Sequence, residues 1–279
     1  MTRRSVFVVV AALVLLSGAV SAFAAGSSQS SFSISPPPIA SPVFGVKEKD
    51  FKVGAMYLNM ESTDPGIDFN LSGYGVDFVG RSAYGDVVAM DFAVGVVYLK
   101  GDFGLPATGP TGTGGTGGAG SKLPLNGMSI PISFNLEVQP FKNDVFNVIA
   151  FAGPAFSITA ITIDNVPTVI GITVVNESIT STSIMYGFQG GVQLGFGLGD
   201  LHVDVFGMAT NLRGTQSTSH SLGGSESSDI PGYLTTSYGA DFMYVPWGLT
   251  FSSILQEAKQ SDQNGFKTTM YQLSWSRKF

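Results

Sequence analysis

The amino-acid sequence predicts an all-β protein, an antiparallel transmembrane β-barrel of about ten strands, with eight or twelve strands as the alternative counts. Three observations predict it. Many segments alternate between apolar and polar side chains, and turn-forming clusters separate them. Charged residues make up only 12% of the chain, whereas soluble globular proteins average about 25%. Alternation of this kind gives a strand one face for lipid and one face for a polar interior.

Composition excludes several other classes of protein. Beyond residue 24 no run of about 20 apolar residues offers a helical membrane span. Without the two arginines near its start, the chain keeps 12 basic and 20 acidic residues, a formal charge of −8, so nucleic acid is a poor partner. The chain has no cysteine, which excludes disulfides, thiolate metal sites and a lipid-modified cysteine. No cofactor is expected.

The start of the chain predicts export. Arg3 and Arg4 form a basic region, residues 6–16 form an apolar core, and Ala22-Phe23-Ala24 has the small residues of a cleavage site. These features predict a cleaved signal peptide at 1–24, and the short apolar run with no basic stop-transfer segment argues against a membrane anchor. Residues 25–49 are rich in Ser and Pro and predict an extended periplasmic lead-in. The barrel is assigned to 50–279.

Strands are predicted where the alternation has a period of two. The clearest segment is 128–139, in which the even-numbered residues are apolar and the odd-numbered residues are polar or Pro. The segments 51–60, 145–158, 201–212 and 249–257 have an ambiguous phase, although their lengths and flanking turns fit strands. In chain order the ten predicted strands lie at 51–60, 73–78, 90–98, 128–139, 145–158, 184–198, 201–212, 237–244, 249–257 and 271–279.

The connectors between these strands alternate in length. Those at 81–86, 140–144, 199–200 and 245–246 are short, and those at 61–67, 101–126, 159–183, 213–232 and 258–266 are mostly long. Short periplasmic turns and long extracellular loops are typical of membrane barrels. Within 159–183, residues 169–175 could form one more hairpin, which would extend the barrel above the membrane or raise the strand count by two. A soluble β-sandwich is the structural alternative.

The last nine residues carry a resemblance to a known class. Tyr271, Leu273, Trp275 and Phe279 alternate with polar residues, and the segment resembles the carboxy-terminal strand by which Gram-negative outer-membrane β-barrels are recognised by their assembly machinery. The resemblance implies an outer-membrane location and contacts with membrane lipid and lipopolysaccharide. Arg277 departs from the pattern, and we interpret it as reaching lipid headgroups at the periplasmic rim.

The polar faces of the strands predict an acidic lumen. By the assigned phases, the inward acids are Asp77, Asp91, Glu137, Asp204 and Asp241. The inward basic residues are Arg81 and Lys278, near the periplasmic end. The sequence therefore predicts a non-enzymatic barrel that is either structural or a narrow cation-preferring pore, because confined carboxylates concentrate cations. Side chains usually fill the interior of an eight-stranded barrel, whereas barrels of sixteen or more strands are open. A barrel of ten strands is closer to the filled kind.

Two other functions stay open. The long loops could carry adhesion or receptor roles, and a hydrolase could act at the outer rim, where His220 and Asp229 accompany several serines. A catalytic triad needs a rigid scaffold that aims each member, which spacing alone does not provide. The glycine-rich segment 109–122 lacks the order of a phosphate loop because Ser121 precedes Lys122. His202 is expected in a polar, hydrogen-bonded role beside Asp204.

Overall fold

The computed structural model describes residues 50–62, 68–85, 87–104, 122–143, 145–170, 173–259 and 265–278. These residues form one closed antiparallel barrel of ten strands, in which each strand pairs with the next and the last pairs with the first. The predicted fold class and strand count are confirmed. The strands are β1 Asp50–Ser62, β2 Asp68–Ala83, β3 Val88–Gly104, β4 Lys122–Lys142, β5 Phe146–Ile170, β6 Thr173–Leu198, β7 Leu201–His220, β8 Ser225–Tyr244, β9 Leu249–Lys259 and β10 Gly265–Lys278.

Several predicted segments fall elsewhere in the chain. The signal peptide, the lead-in up to residue 49, the glycine-rich segment 109–121 and Phe279 lie outside the described residues. The described part contains one short 3-10 helix, Val245–Trp247, which connects β8 to β9. No helix in this part is long and apolar enough to cross a membrane.

The predicted alternation of strand faces is confirmed. On β4, Met128, Phe134 and Leu136 are exposed on the outside, while Ser129 and Glu137 are buried on the inside. The outer surface carries a band of exposed aliphatic and aromatic side chains around the barrel, as a wall in contact with lipid requires. Other exposed members of the band include Tyr74, Val76, Phe78, Met90, Val96, Tyr98, Ile184, Tyr186, Phe188, Tyr238, Phe242, Phe251, Tyr271, Leu273 and Trp275.

The two ends of the barrel differ, and they do so only partly as the sequence predicts. Short connectors at 84–87, 143–145, 199–200 and 245–248 join the strands at one end, which we call the short-turn end. At the other end, the predicted long loops 159–183 and 213–232 are wrong, because β5 and β6 are separated only by 171–172, and β7 and β8 only by 221–224. The suspected hairpin at 169–175 extends β5 and β6, and the count stays at ten.

The cause of this difference is the chemistry of the extended segments. They are rich in Thr, Val, Ile and Ser, and β-branched residues suit a pleated sheet whether or not it contacts lipid. An antiparallel sheet also tolerates water on its faces. Polarity in 159–183 and 213–232 therefore marks the point where strands leave the lipid, and not the point where they end.

Strand length varies strongly around the barrel. Strands β5 and β6 have 25 and 26 residues, β7 and β8 have 20 each, and β9 has 11. Since a strand needs about 9–11 residues to cross a membrane, the longer strands continue well beyond the apolar band. We call the continuation at 160–170, 173–182, 213–220 and 225–233 the β wall.

Candidate functional site in the barrel lumen

The five predicted acidic residues all lie on the inner face. Asp77, Asp91, Glu137, Asp204 and Asp241 are each at most 5% exposed. They lie toward the short-turn end of their strands, because Asp91 is three residues into β3 and Asp204 is three residues into β7. These five acids therefore lie together on the inner face at the short-turn end, which we call the acidic zone.

The structure describes the side chain of one of the two predicted basic residues. Arg81 is buried on the inner face as expected, while the side chain of Lys278 lies outside the described residues. Lys52 is a buried inward cation that sequence reasoning missed, because the phase of the 51–60 segment was ambiguous. The described buried charges thus comprise the five predicted acids, Glu177 on β6, and the two permanent cations Arg81 and Lys52.

One polar network crosses the lumen from β2 to β6. Arg81 donates through Nε to Glu137 Oε2 at 2.8 Å, and its Nη2 bonds the same oxygen. Asn135 Nδ2 donates to Asp91 Oδ1 at 2.9 Å, and Gln189 Nε2 donates to Asn135 Oδ1 at 2.8 Å. Because each bond joins different strands, the network fixes the inner faces of β2, β3, β4 and β6 relative to one another.

A second polar group is built on residues of β1, β2 and β10. Gln272 Nε2 donates to Asp77 Oδ1 at 2.5 Å, and the charge of Lys52 acts on both Asp77 and Asp241. Asp204 lies directly across from Asp241 in the β7–β8 ladder. These contacts link the first two strands to the last strand, because β1, β2 and β10 all contribute.

Beyond the acidic zone the lumen holds a large group of buried apolar side chains, with buried polar residues such as Thr210, Gln256 and Thr268 among them. Twenty buried residues, contributed by all ten strands, form one cluster, which we call the apolar plug. The lumen in this part is therefore mixed, and not purely polar as the sequence predicts. The plug contains Met56, Leu58, Met60, Phe69, Leu71, Val97, Leu99, Leu125, Phe151, Ala155, Met185, Phe206, Met208, Leu212, Ile230, Tyr233, Ile254, Ala258, Phe266 and Met270.

The plug results from a reversal of polarity within single strands. On β1, outward Tyr57 is followed by outward Asn59, while inward Leu58 and Met60 are fully buried. Where a strand leaves the lipid its outer face meets water, so its apolar residues stabilise the fold only on the inside. The same reversal explains why the phase of 51–60 could not be assigned from sequence, since both of its faces carry apolar residues.

The plug is closely packed. A Cβ atom built on Gly73 would lie 2.8 Å from Leu58 Cγ and 3.0 Å from Leu99 Cδ2, so the two leucines occupy the space that a side chain at this position would need. Leu58 and Leu99 are fully buried. The glycine therefore allows side chains from β1 and β3 to meet over β2.

The two histidines have separate environments. His202 Nε2 lies 3.2 Å from Asp204 Oδ1, which confirms the expected polar role. His220 contacts Glu177 at 3.4 Å and Glu226 at 4.0 Å, whereas Asp229 lies across from Thr215 further along the β wall. Within the described ranges, no three His, Asp or Glu side chains form a group that could hold a metal ion.

Comparisons with known proteins place the fold in a class. No family model matches the chain, and no curated protein matches it. The outer membrane protease OmpT from Escherichia coli aligns with a TM-score of 0.57 at 7% identity, over 86% of this chain and 99% of that chain. OprG from Pseudomonas aeruginosa aligns with a TM-score of 0.40 at 9% identity, over 83% and 98%, and Ail from Yersinia pestis with 0.32 at 14%, over 83% and 100%.

These findings define the class of protein. The chain has the closed antiparallel barrel of the outer-membrane β-barrel proteins, without a specific family. At 7% identity the likeness to OmpT concerns the fold alone, because one barrel architecture hosts many functions. Function has to be argued from the lumen and from the β wall.

Proposed function

We propose that this protein is an integral outer-membrane β-barrel of Gram-negative bacteria, non-enzymatic, with a lumen closed to ions. The apolar plug is the single observation that carries the proposal. It lies in series with the acidic zone, so an ion entering past Asp91 or Asp204 would next meet Phe151, Phe206 and Met208. Transfer of an unpaired charge into apolar surroundings is very unfavourable, and apolar constrictions exclude water.

The acidic zone is better explained as structural than as a selectivity ring. Glu137 is engaged by Arg81, Asp91 by Asn135, and Asp77 by Gln272. A carboxylate held by such partners stabilises the barrel but attracts a passing cation less than a free one does. Ten strands also enclose an interior that side chains come close to filling.

The outer surface supports placement in a membrane. The apolar band is bordered by aromatic pairs, with Tyr244 against Trp247 at the short-turn end and Tyr57 against Tyr74 at the opposite edge. On β7, Arg213 lies 5.5 Å from the centre of the Tyr186 ring at that same edge. Aromatic girdles and interfacial cations are typical of lipid boundaries. Membrane lipid and lipopolysaccharide are the partners we assign to this surface, and the barrel assembly machinery to β10.

Conductance of the refolded barrel in a planar bilayer under a salt gradient tests the closed lumen. We expect no steps from protein whose folding is verified by circular dichroism and by heat-dependent gel mobility. Cation-selective steps that weaken in Asp91→Asn or Glu137→Gln would overturn the proposal and establish a pore with an acidic ring.

The β wall favours a second candidate function, recognition of a surface ligand. It extends well past the membrane and is rich in exposed Ser and Thr, including Thr215, Ser217 and Ser219. Whole cells carrying the protein can be tested on immobilised glycans and matrix proteins. A variant in which a two-residue turn replaces 164–178 should lose binding while assembling normally, and equal binding by both forms would reject the idea.

A further inference from the structure

A row of inward residues crosses β5 to β9 close to the short-turn end. Asn147 lies opposite Gly195, Gly195 opposite Asp204, Asp204 opposite Asp241, and Asp241 opposite Ser252. The four side chains of this row are all at most 6% exposed. They bring two carboxylates, an amide and a hydroxyl to one level of the lumen.

The two carboxylates form a pair that its neighbours compensate only in part. Asp204 and Asp241 are direct cross-strand neighbours, and like charges in that arrangement repel each other. Asp204 meets His202 through Oδ1, and the charge of Lys52 acts on Asp241. Lys52 also acts on Asp77, so one permanent cation is shared between two of these three carboxylates, and buried charges are usually paired or bound to a metal.

Three oxygen atoms of the row have no hydrogen-bond partner among the described residues. They are Asn147 Oδ1, Asp204 Oδ2 and Asp241 Oδ2, and all three are buried. Asn147 Oδ1 and Asp204 Oδ1 both extend over Gly195, into the place that a Cβ atom would occupy. The glycine thus leaves room for oxygens from β5 and β7 to converge.

We propose that this row is a binding site for one Ca²⁺ ion, with the carboxylates of Asp204 and Asp241 and the amide oxygen of Asn147 as ligands. Calcium takes carboxylate and amide oxygens in flexible geometry, whereas Mg²⁺ demands a near-ideal octahedron and usually keeps several waters. Its two charges balance the two aspartates. The site lies three residues or fewer from the start of β5 and β7, so the ion enters from the short-turn end, without crossing the apolar plug.

Calcium binding to the refolded, EDTA-treated barrel tests the proposal directly. Equilibrium dialysis with ⁴⁵Ca²⁺ should give one bound ion per barrel, and CaCl₂ should raise the unfolding temperature relative to EDTA. Asp204→Asn and Asp241→Asn should each lose the bound ion and the temperature shift. Asp91→Asn is the matched control, because Asp91 is an equally buried aspartate in the Arg81 network, and it should keep both. No binding by the wild type, or binding that survives both row variants, would overturn the site.

The variant Asn147→Asp tests whether Asn147 acts as a metal ligand or as a hydrogen-bond donor to Asp204. The oxygen and nitrogen of an amide are assigned from their partners, and an Asn147 that donates its N–H to Asp204 would stabilise the aspartate without any metal. A carboxylate at 147 adds a third anionic ligand, so calcium binding should tighten at least about tenfold, as expected from the added ligand charge. The variant should then lose stability in EDTA and regain it in calcium. Loss of stability that calcium does not reverse would contradict the proposal.

Discussion

Trp275 on β10 packs edge-on against Phe51 on β1, with the ring centroids 5.7 Å apart. Phe51 in turn stacks on Phe78 of β2 at 6.2 Å. The contact lies on the seam where the last strand pairs with the first, over a ladder that runs from Asp50↔Lys278 to Ser62↔Phe266. These three aromatic side chains therefore link β10 to β1 and β2 on the outer face.

Replacement of Trp275 should impair assembly. Trp275→Asp puts a charge on an outward position 43% exposed in the apolar band, and it also removes the packing on Phe51. Membrane levels of folded protein, read from heat-dependent gel mobility, should fall severalfold, whereas Trp275→Phe should be close to wild type. Deletion of Phe279 should also lower the level. Normal levels of both Trp275→Asp and the deletion would count against β10 as an assembly signal.

Removal of one partner of the Arg81–Glu137 ion pair should strongly destabilise the barrel. Both side chains are buried, with exposures of 3% and 1%, and removal of one partner from a buried pair costs about 3–5 kcal/mol. Glu137→Gln should therefore lower the free energy of unfolding in urea by an amount of this order. The double variant Arg81→Met/Glu137→Leu should recover much of the loss, and a loss in the double variant equal to the sum of the single losses would show that the pair is not coupled.

The sequence predicted the membrane part of this fold well, because lipid imposes a strict rule there. Segments such as 128–139 keep one apolar face throughout. This single pattern predicts that the segment is a strand, which of its residues face outward, and that Glu137 faces inward. Above the lipid the rule changes, and the polar segment 213–232, which hydropathy predicts to be a loop, is mostly strand. Hydropathy alone does not separate a loop in water from a strand in water.

The candidate site was only partly predictable for a related reason. Inward acids followed from phase, but which of them meet depends on strand register. Asn147 and Asp204 are 57 positions apart in the sequence and converge only because both flank Gly195. Lys52 was missed since β1 changes polarity halfway, and the apolar plug was missed for the same reason.

Truncation of a plug residue should destabilise the barrel far more than truncation of its neighbour. Leu58 is fully buried and packs over Gly73, so Leu58→Ala should lower the free energy of unfolding by about 2–5 kcal/mol. Asn59→Ala, one residue further on, alters a side chain on the outer face and should change it by less than about 0.5 kcal/mol, as surface substitutions usually do. Equal effects of the two variants would mean that the plug is not a packed core.

The orientation of the barrel can be tested with single cysteines, because the chain has none of its own. Ser217 is exposed on the β wall, and Asp200 is exposed in the short turn between β7 and β8. If the short turns face the periplasm, as in other membrane barrels, a membrane-impermeant maleimide should label Ser217→Cys in intact cells.

Asp200→Cys should then react only after the outer membrane is disrupted, and the same pair of variants should react equally in detergent, where both faces are accessible. The equal reaction in detergent is the control for intrinsic thiol reactivity. Labelling of Asp200→Cys and protection of Ser217→Cys in intact cells would reverse the assigned orientation. It would also place the acidic zone and the row of Asp204 and Asp241 toward the exterior, because both lie within a few residues of the short turns.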